Sequence, residues 1–379
     1  MHFPNWQLAL PLCLCAALTV LPAQAQSTSD VLVTLPGIKI TDLQFDQPNS
    51  RFVWSDQNAN VWIGFVDPTS GAFNPTTGMG TLVTTGALFA PDQVAIGPRW
   101  VYSAQFGPQI VFTALPSSSG ATAALGSAYN SNGQWFTNPL PSGNNRSAPV
   151  GSLDQFDGFP RIFYQQSTRS GQTTSKWRNL NDAGTETAIP GTLVQNISWI
   201  AGQRALVYTA LANNVPQVFS YNIDTKVQQQ LTFDSPPKSS PMLWQAPEYG
   251  DNYLLFAVSN QTSINVYQNI NNAWALLTTL VPPAKGPYLL SPGVFAYNGK
   301  SYIYMGTIGD PTPGSSKPSD IWIAGIDPTA PFYRQCSDGT TKNRARPQVF
   351  FTSNGPYLYF FAKPAINVVQ GVYYCNPGL

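Results

Sequence analysis

Along the chain, β-branched and aromatic residues gather into short runs separated by polar stretches, and the runs recur roughly every 50 residues. They are Arg51-Phe-Val-Trp, Arg99-Trp-Val-Tyr, Arg161-Ile-Phe-Tyr, Arg204-Ala-Leu-Val-Tyr, Tyr253-Leu-Leu-Phe, Tyr302-Ile-Tyr and Tyr357-Leu-Tyr-Phe. Most are answered, after a polar loop, by a second run such as Asn60-Val-Trp-Ile, Gln109-Ile-Val-Phe, Gln217-Val-Phe, Asp320-Ile-Trp-Ile or Gly371-Val-Tyr-Tyr. Paired runs of this kind read as hairpins. Tight turns such as Val66-Asp-Pro-Thr-Ser-Gly, Asn222-Ile-Asp-Thr and Ile326-Asp-Pro-Thr close several copies, Asp and Pro being suited to the start of a turn. A preceding inner strand is visible at Asp92-Gln-Val-Ala-Ile, Gln195-Asn-Ile-Ser-Trp, Pro241-Met-Leu-Trp, Pro292-Gly-Val-Phe and Pro347-Gln-Val-Phe-Phe. With 34 Pro and 30 Gly spread throughout, long helices have little room.

Such a period with about four strands per copy predicts an all-β β-propeller, in which each sheet buries its faces only against neighbouring blades. Seven copies predict seven blades. Six blades, or an open array of sandwiches, are the competing arrangements, because the third copy is irregular around Ser175-Lys-Trp-Arg. The last copy ends after three strands. Its fourth is expected from Asp30-Val-Leu-Val-Thr-Leu, which would close the ring without an unpaired edge. The aromatic hairpins resemble those of the TolB-like propellers, the Arg204-Ala-Leu-Val-Tyr to Asp224 copy with Gln230-Leu-Thr-Phe after it matching best. That resemblance implies fold and leaves function open.

Composition changes the picture in one respect. Lys plus Arg number 19 and Asp plus Glu 18, a net charge of +1, which gives no general reason to expect nucleic acid or an anionic membrane as partner. At 10% charged residues, the surface must be coated largely by neutral polar side chains, as in secreted proteins. Residues 1–25 carry an apolar run, Leu8 to Leu21, then Ala23 and Ala25 in cleavage-site spacing, and read as a signal peptide ahead of one propeller domain over 26–379. The protein is thus expected in the secretory lumen or outside the cell, as a monomer with no membrane span. Cys13 and Cys15 fall inside the signal, which leaves Cys336 and Cys375 to form a disulfide joining the last two blades. Asn145, Asn196 and Asn260 head sequons and are glycosylation candidates.

The single histidine is His2, so the processed chain lacks one. Ser-His-Asp and Cys-His catalysis are excluded, as are histidine-based metal sites, and neither a metal nor a cofactor is implied. Glu186 and Glu248 are the only glutamates. Two connections are read as long loops over a central pocket. Tyr129 to Gly151 would bring Trp135 and Phe136, and Asp234 to Asp251 would bring Lys238, Trp244, Glu248 and Tyr249. Arg344 and Arg346 are placed on the loop before the last blade. In this reading Arg346, Lys238 and Glu248 are the catalytic candidates, and Trp135, Phe136, Trp244, Tyr249 and Arg344 bind a small organic substrate or a glycan.

Two functions fit such a pocket. One is an enzyme whose chemistry needs orientation and polarisation more than proton shuttling, such as a cofactor-free cyclisation or cycloaddition. In outline, a signal-bearing propeller of this size with a neutral polar coat is similar to the fungal hetero-Diels-Alderases of tropolonic sesquiterpenoid pathways, a resemblance that implies secondary-metabolite cyclase activity and assigns no residue. The other is a secreted lectin-like propeller. Because Trp135 and Trp244 have no equivalents at matching positions in other copies, one central site is favoured over a site in every blade.

Overall fold

The computed structural model describes residues 29–379 apart from 36, 41, 86, 88–96, 104–106, 115–122, 141–144, 153–158, 169–170, 313–314, 316 and 364–369. It is an all-β propeller of seven sheets following one another along the chain. Blade 1 runs from Leu43–Asp46 through Arg51–Ser55 and Val61–Val66 to Phe73–Asn74, with Thr81–Thr84 also pairing to its third strand. Blades 2 to 6 begin with the strands Arg99–Ser103, Arg146–Gly151, Gln195–Trp199, Lys238–Ala246 and Tyr288–Tyr297, and blade 7 begins with Asn343–Thr352. All neighbouring strands within a blade are antiparallel.

Hairpin geometry follows from the turn residues. Asn132-Gly133, Asn213-Asn214, Asn271-Asn272 and Asn298-Gly299 all have positive φ at both positions, the mirror-image turn whose twist matches that of the flanking strands. In the Asp-Pro and Asn turns, Asp67, Asn222 and Asp327 each accept the backbone N–H two residues on.

Among the described residues, the buried hydrophobic side chains form seven clusters, and each lies between two neighbouring blades, including one that joins blade 7 to blade 1 through Phe350, Tyr359, Phe45 and Phe52. A single sheet therefore has no core of its own, and each blade is stabilised through the interfaces it shares with its two neighbours. Closure occurs as expected: Val31 and Leu32 pair with Tyr374 and Tyr373 and supply the fourth strand of blade 7. The disulfide Cys336–Cys375 joins blades 6 and 7 beside it.

One expectation is corrected and another refined. Arg99–Ser103 is not a second strand but the innermost described strand of blade 2. Trp100 donates to Gln44 and Tyr102 to Asp46 on the first strand of blade 1, while the Tyr102 N–H donates to Ser152 just after the first strand of blade 3. Inner and second strands carry the same apolar pattern, so the pattern alone does not separate them. The Asp92-Gln-Val-Ala-Ile segment lies outside the described residues. The third copy forms a four-stranded blade in which Ser175-Lys-Trp-Arg lies within the strand Thr173–Asn179, and the irregularity expected there is a register shift between Trp177 and Asn179 in the pairing with the next strand.

Candidate functional site

The first strands of blades 3 to 7 share a β-bulge near their beginnings, seen as register shifts between Ser147 and Val150, Gln195 and Ser198, Ser239 and Met242, Leu290 and Gly293, and Ala345 and Gln348. Proline follows the left-handed residue in four of them, at Ala148-Pro149, Ser240-Pro241, Ser291-Pro292 and Arg346-Pro347. Having no N–H to give the ladder, proline is accommodated at a bulge. Ala148, Asn196, Ser240, Ser291 and Arg346 all take left-handed φ between 45° and 54°. A non-glycine residue there costs roughly 1–2 kcal/mol. The repeated corner sets one side chain on the inner strand of each of blades 3 to 7, and four of these are small or neutral. The fifth is Arg346.

Arg346 Nη1 lies 3.4 Å from Asp42 Oδ2, and its side chain retains 40% exposure. Asp42, just ahead of the first strand of blade 1, is buried and is also held by Arg99 Nη2 at 2.6 Å and by the Gly97 N–H. Three adjacent inner strands, those of blades 7, 1 and 2, thus contribute a continuous Arg–Asp–Arg bridge. Of the two guanidinium groups at this carboxylate, Arg346 is the more exposed, at 40% of its side chain against 16% for Arg99. Behind it, Asp46 accepts from Arg51 and from the Tyr102 hydroxyl, and burial together with that carboxylate pushes the Tyr102 phenol up.

The remaining sequence candidates do not gather at this Arg–Asp–Arg bridge. Arg344, two residues away, is fully buried and donates to Asp30, Asp338 and the carbonyl oxygens of Ser319 and Thr340. It fastens the closing strand: Asp30 also accepts from Lys342 and from the Asp338 N–H. Burial opposes the charge on Asp338, but hydrogen bonds from Lys342 and Thr340 and the nearby Arg344 outweigh it and hold its carboxyl down at about 2. Lys238 is likewise buried, its ammonium engaged by Asp234 and by Ser259 Oγ at 3.2 Å.

Lys238 opens the nine-residue first strand of blade 5 and Glu248 follows its end, so about 3.3 Å per residue puts the two on opposite faces of the ring. Glu248 accepts from the Ser301 N–H at 2.7 Å and Oγ at 2.9 Å and, with Tyr249, lines a cleft of about 650 Å³ that includes Lys300, Tyr302, Asp327 and Phe332. The segments expected as long loops are largely strand. Trp135 and Phe136 lie on the outermost strand of blade 2, Gln134–Pro139, where Trp135 packs at 6.4 Å from Trp100 and Phe136 stacks on Tyr129. Trp244 is buried against Phe256 in the core between blades 5 and 6. The aromatic walls expected from the two tryptophans therefore belong to interblade packing. Of the sequon residues, Asn260 is exposed in a hairpin turn, Asn196 is exposed but donates its amide to Thr209 Oγ1, and Asn145 is half-buried.

A second buried charge centre lies in blade 3. Glu186 accepts from Arg146 at 2.9 and 2.8 Å, from Lys176 at 2.7 Å and from the Tyr164 hydroxyl. Burial raises its pKa, but these hydrogen bonds prevail and hold it at about 2. A carboxylate so fully engaged is a structural anion. Among the described residues, no cluster of three or more His, Cys, Asp and Glu could hold a metal ion, and no helix is long and apolar enough to cross a membrane.

Arg346 stands out in the sequence, whereas nothing local links it to Asp42 or Arg99. The repeated residue-proline steps are the one available signal for the bulges that set Arg346 apart.

No protein-family model matches the chain, and no curated protein sequence matches it. Solved structures are similar in fold. The β-propeller domain of Cps50 (Swd1) from Myceliophteria thermophila superposes with TM-score 0.55 and 10% identity over 92% of this chain and 99% of that one. An oligogalacturonate lyase from Vibrio parahaemolyticus does so with TM-score 0.56 and 9% identity over 92% and 91%. TolB from Acinetobacter baumannii, 14% identical over 86% of this chain and 78% of its own, reaches a TM-score of only 0.38, at which the likeness carries no weight. At these identities the comparisons speak for a β-propeller and for nothing about the reaction.

Proposed function

We propose that this protein is a secreted, cofactor-free cyclase that binds a small conjugated substrate at the mouth of the propeller channel, with Arg346 polarising its carbonyl. The observation that carries this reading is the broken symmetry of the bulges in blades 3 to 7: one partly exposed arginine stands where blades 3 to 6 present Ala148, Asn196, Ser240 and Ser291. A guanidinium held in place by a buried carboxylate is a preorganised donor. It stabilises the negative charge that develops on a carbonyl oxygen as a heterodiene closes on an alkene. Such a cycloaddition forms two σ bonds at the expense of two π bonds and needs neither proton transfer nor an electron acceptor, in keeping with a sequence whose one histidine is His2. The work left to the protein is orientation.

Export is part of the proposal. The Cys336–Cys375 disulfide fits an oxidising compartment. The signal segment 1–25 lies outside the described residues, and of the sequons Asn260 is the most accessible acceptor.

The test is conversion of a conjugated enone paired with an electron-rich alkene, followed by chiral chromatography. The intact protein should accelerate the reaction and impose one enantiomer, with a rate flat between about pH 5 and 8 because no unperturbed side chain present after position 2 titrates there. Arg346→Ala should lose about 100-fold in rate, and Arg346→Lys should recover part of it. Racemic product at the uncatalysed rate with the intact protein would refute the proposal.

A further inference from the structure

We infer that the cleft between blades 4 and 5 is a binding site for a neutral saccharide, a function separate from that proposed for the channel mouth. The cleft, of about 640 Å³, opens on the face opposite Arg346, between the residues that follow the first strand of blade 4 and the hairpin ends of blades 4 and 5. Among the described residues, no Asp, Glu, Lys or Arg lines it. Its polar lining is instead supplied mainly by amides, among them Gln203, Gln229 and Asn269, while the side-chain oxygen of Asn222 accepts from the turn N–H groups of Asp224 and Thr225. An amide offers a donor and an acceptor side by side, which suits the vicinal hydroxyls of a sugar, whereas a charged ligand would lose hydration and find no counter-charge.

Two aromatic rings complete the lining, and both are held by their surroundings. Tyr253 donates its hydroxyl to the Ala201 carbonyl and packs against the core between blades 4 and 5. Trp274 sits directly across the strand pair from Asn269 and leans on the same core. Half-buried rings fixed in this way present apolar area to a sugar face at little cost in side-chain entropy. The cleft of similar size at Glu248 makes the contrast plain, since its lining includes Glu248, Lys300 and Asp327. Of two clefts at comparable places in successive blades, one is charged and one is uncharged and amide-lined.

Calorimetric titration of the full chain with cellotetraose, maltotetraose and chitotriose as neutral probes, and trigalacturonate as the charged one, tests the assignment. At least one neutral probe should bind, with trigalacturonate about tenfold or more weaker. Trp274→Ala should weaken binding of the neutral probe by at least about tenfold. Gln229→Ala and Asn269→Ala, both at exposed positions, should each weaken it several-fold and guard against a folding defect in the tryptophan variant. Arg346→Ala should bind the saccharide as the intact protein does. The inference is overturned if no neutral probe binds at about 10 mM, if trigalacturonate binds as tightly as the best neutral probe, or if the three cleft variants all bind like the parent.

Discussion

Arg344 and Arg346 stand two residues apart on one strand and meet opposite fates. Arg344 is fully buried in a clasp with Asp30 and Asp338, and Arg346 keeps 40% of its side chain exposed at a left-handed corner beside Asp42. The bulge between Ala345 and Gln348 separates them, because the extra residue breaks the alternation that would otherwise give both side chains the same face. A ring of sheets has one place where the chain must be fastened to itself and one axis around which its blades converge. The first demands a buried, saturated cation and the second an accessible one, and a single inserted residue lets one strand supply both.

The comparison breaks most sharply at the clasp. Replacing Arg344 by Met leaves the carboxylate of Asp30, itself fully buried, short of its principal partner, and removing one member of a buried pair costs about 3–5 kcal/mol. Arg344→Met should therefore lower the melting temperature by several degrees in calorimetry. Because every core lies between blades, the loss should appear as one cooperative transition at lower temperature. A separate early transition confined to blade 7 would show that the ring does not melt as a unit.

Acid sharpens the comparison next. Asp338 is held at about 2, below its ordinary 3.8, so its contribution is fully present above the ordinary value and is lost as pH falls through the folded one. Glu186 behaves in the same direction, from 4.5 down to about 2. Melting temperatures should be steady from neutrality to about pH 5 and fall between about pH 4 and pH 2. The acid-dependent loss should be smaller in Arg344→Met, where Asp338 has lost one of the charges that hold it down. An equal loss in both proteins would remove Arg344 from the account of Asp338.

Why the sequence revealed the ring but not this division is a matter of range. Hairpins, Asx turns and the closing strand at Val31 follow from alternation and turn chemistry within a few residues, and all could be read directly. The Asp30–Arg344 pair spans 314 positions and the Asp42–Arg99 pair 57, and no local pattern links such partners. Inner and second strands share one apolar alternation, so Arg99 reads equally well on either. Trp244 closes the inner-strand run Pro241-Met-Leu-Trp and lies on that strand facing the core, whereas Trp135 sits on an outer strand whose local signal is the Asn132-Gly133 turn. The residue-proline steps were legible, but only the register shows that Arg346 and Arg344 part there.

At Arg346 the effect on stability should be the smallest of all. Its contact with Asp42 at 3.4 Å is long for an ion pair, its side chain is partly solvated, and Arg99 still neutralises Asp42 when it is gone. With one member partly solvated at this distance, the pair itself contributes about 1 kcal/mol or less. Alanine keeps the left-handed strain, so Arg346→Ala should melt within about 2 °C of the parent. Glycine removes the strain of roughly 1–2 kcal/mol but adds freedom to the unfolded chain worth about 0.4–1 kcal/mol, so Arg346→Gly should equal or slightly exceed the alanine variant. A loss as large as that of Arg344→Met in either variant would make Arg346 a second fastener of the ring. Unchanged melting with lost turnover would leave it the one bulge position in blades 3 to 7 kept for a ligand at a cost in backbone strain.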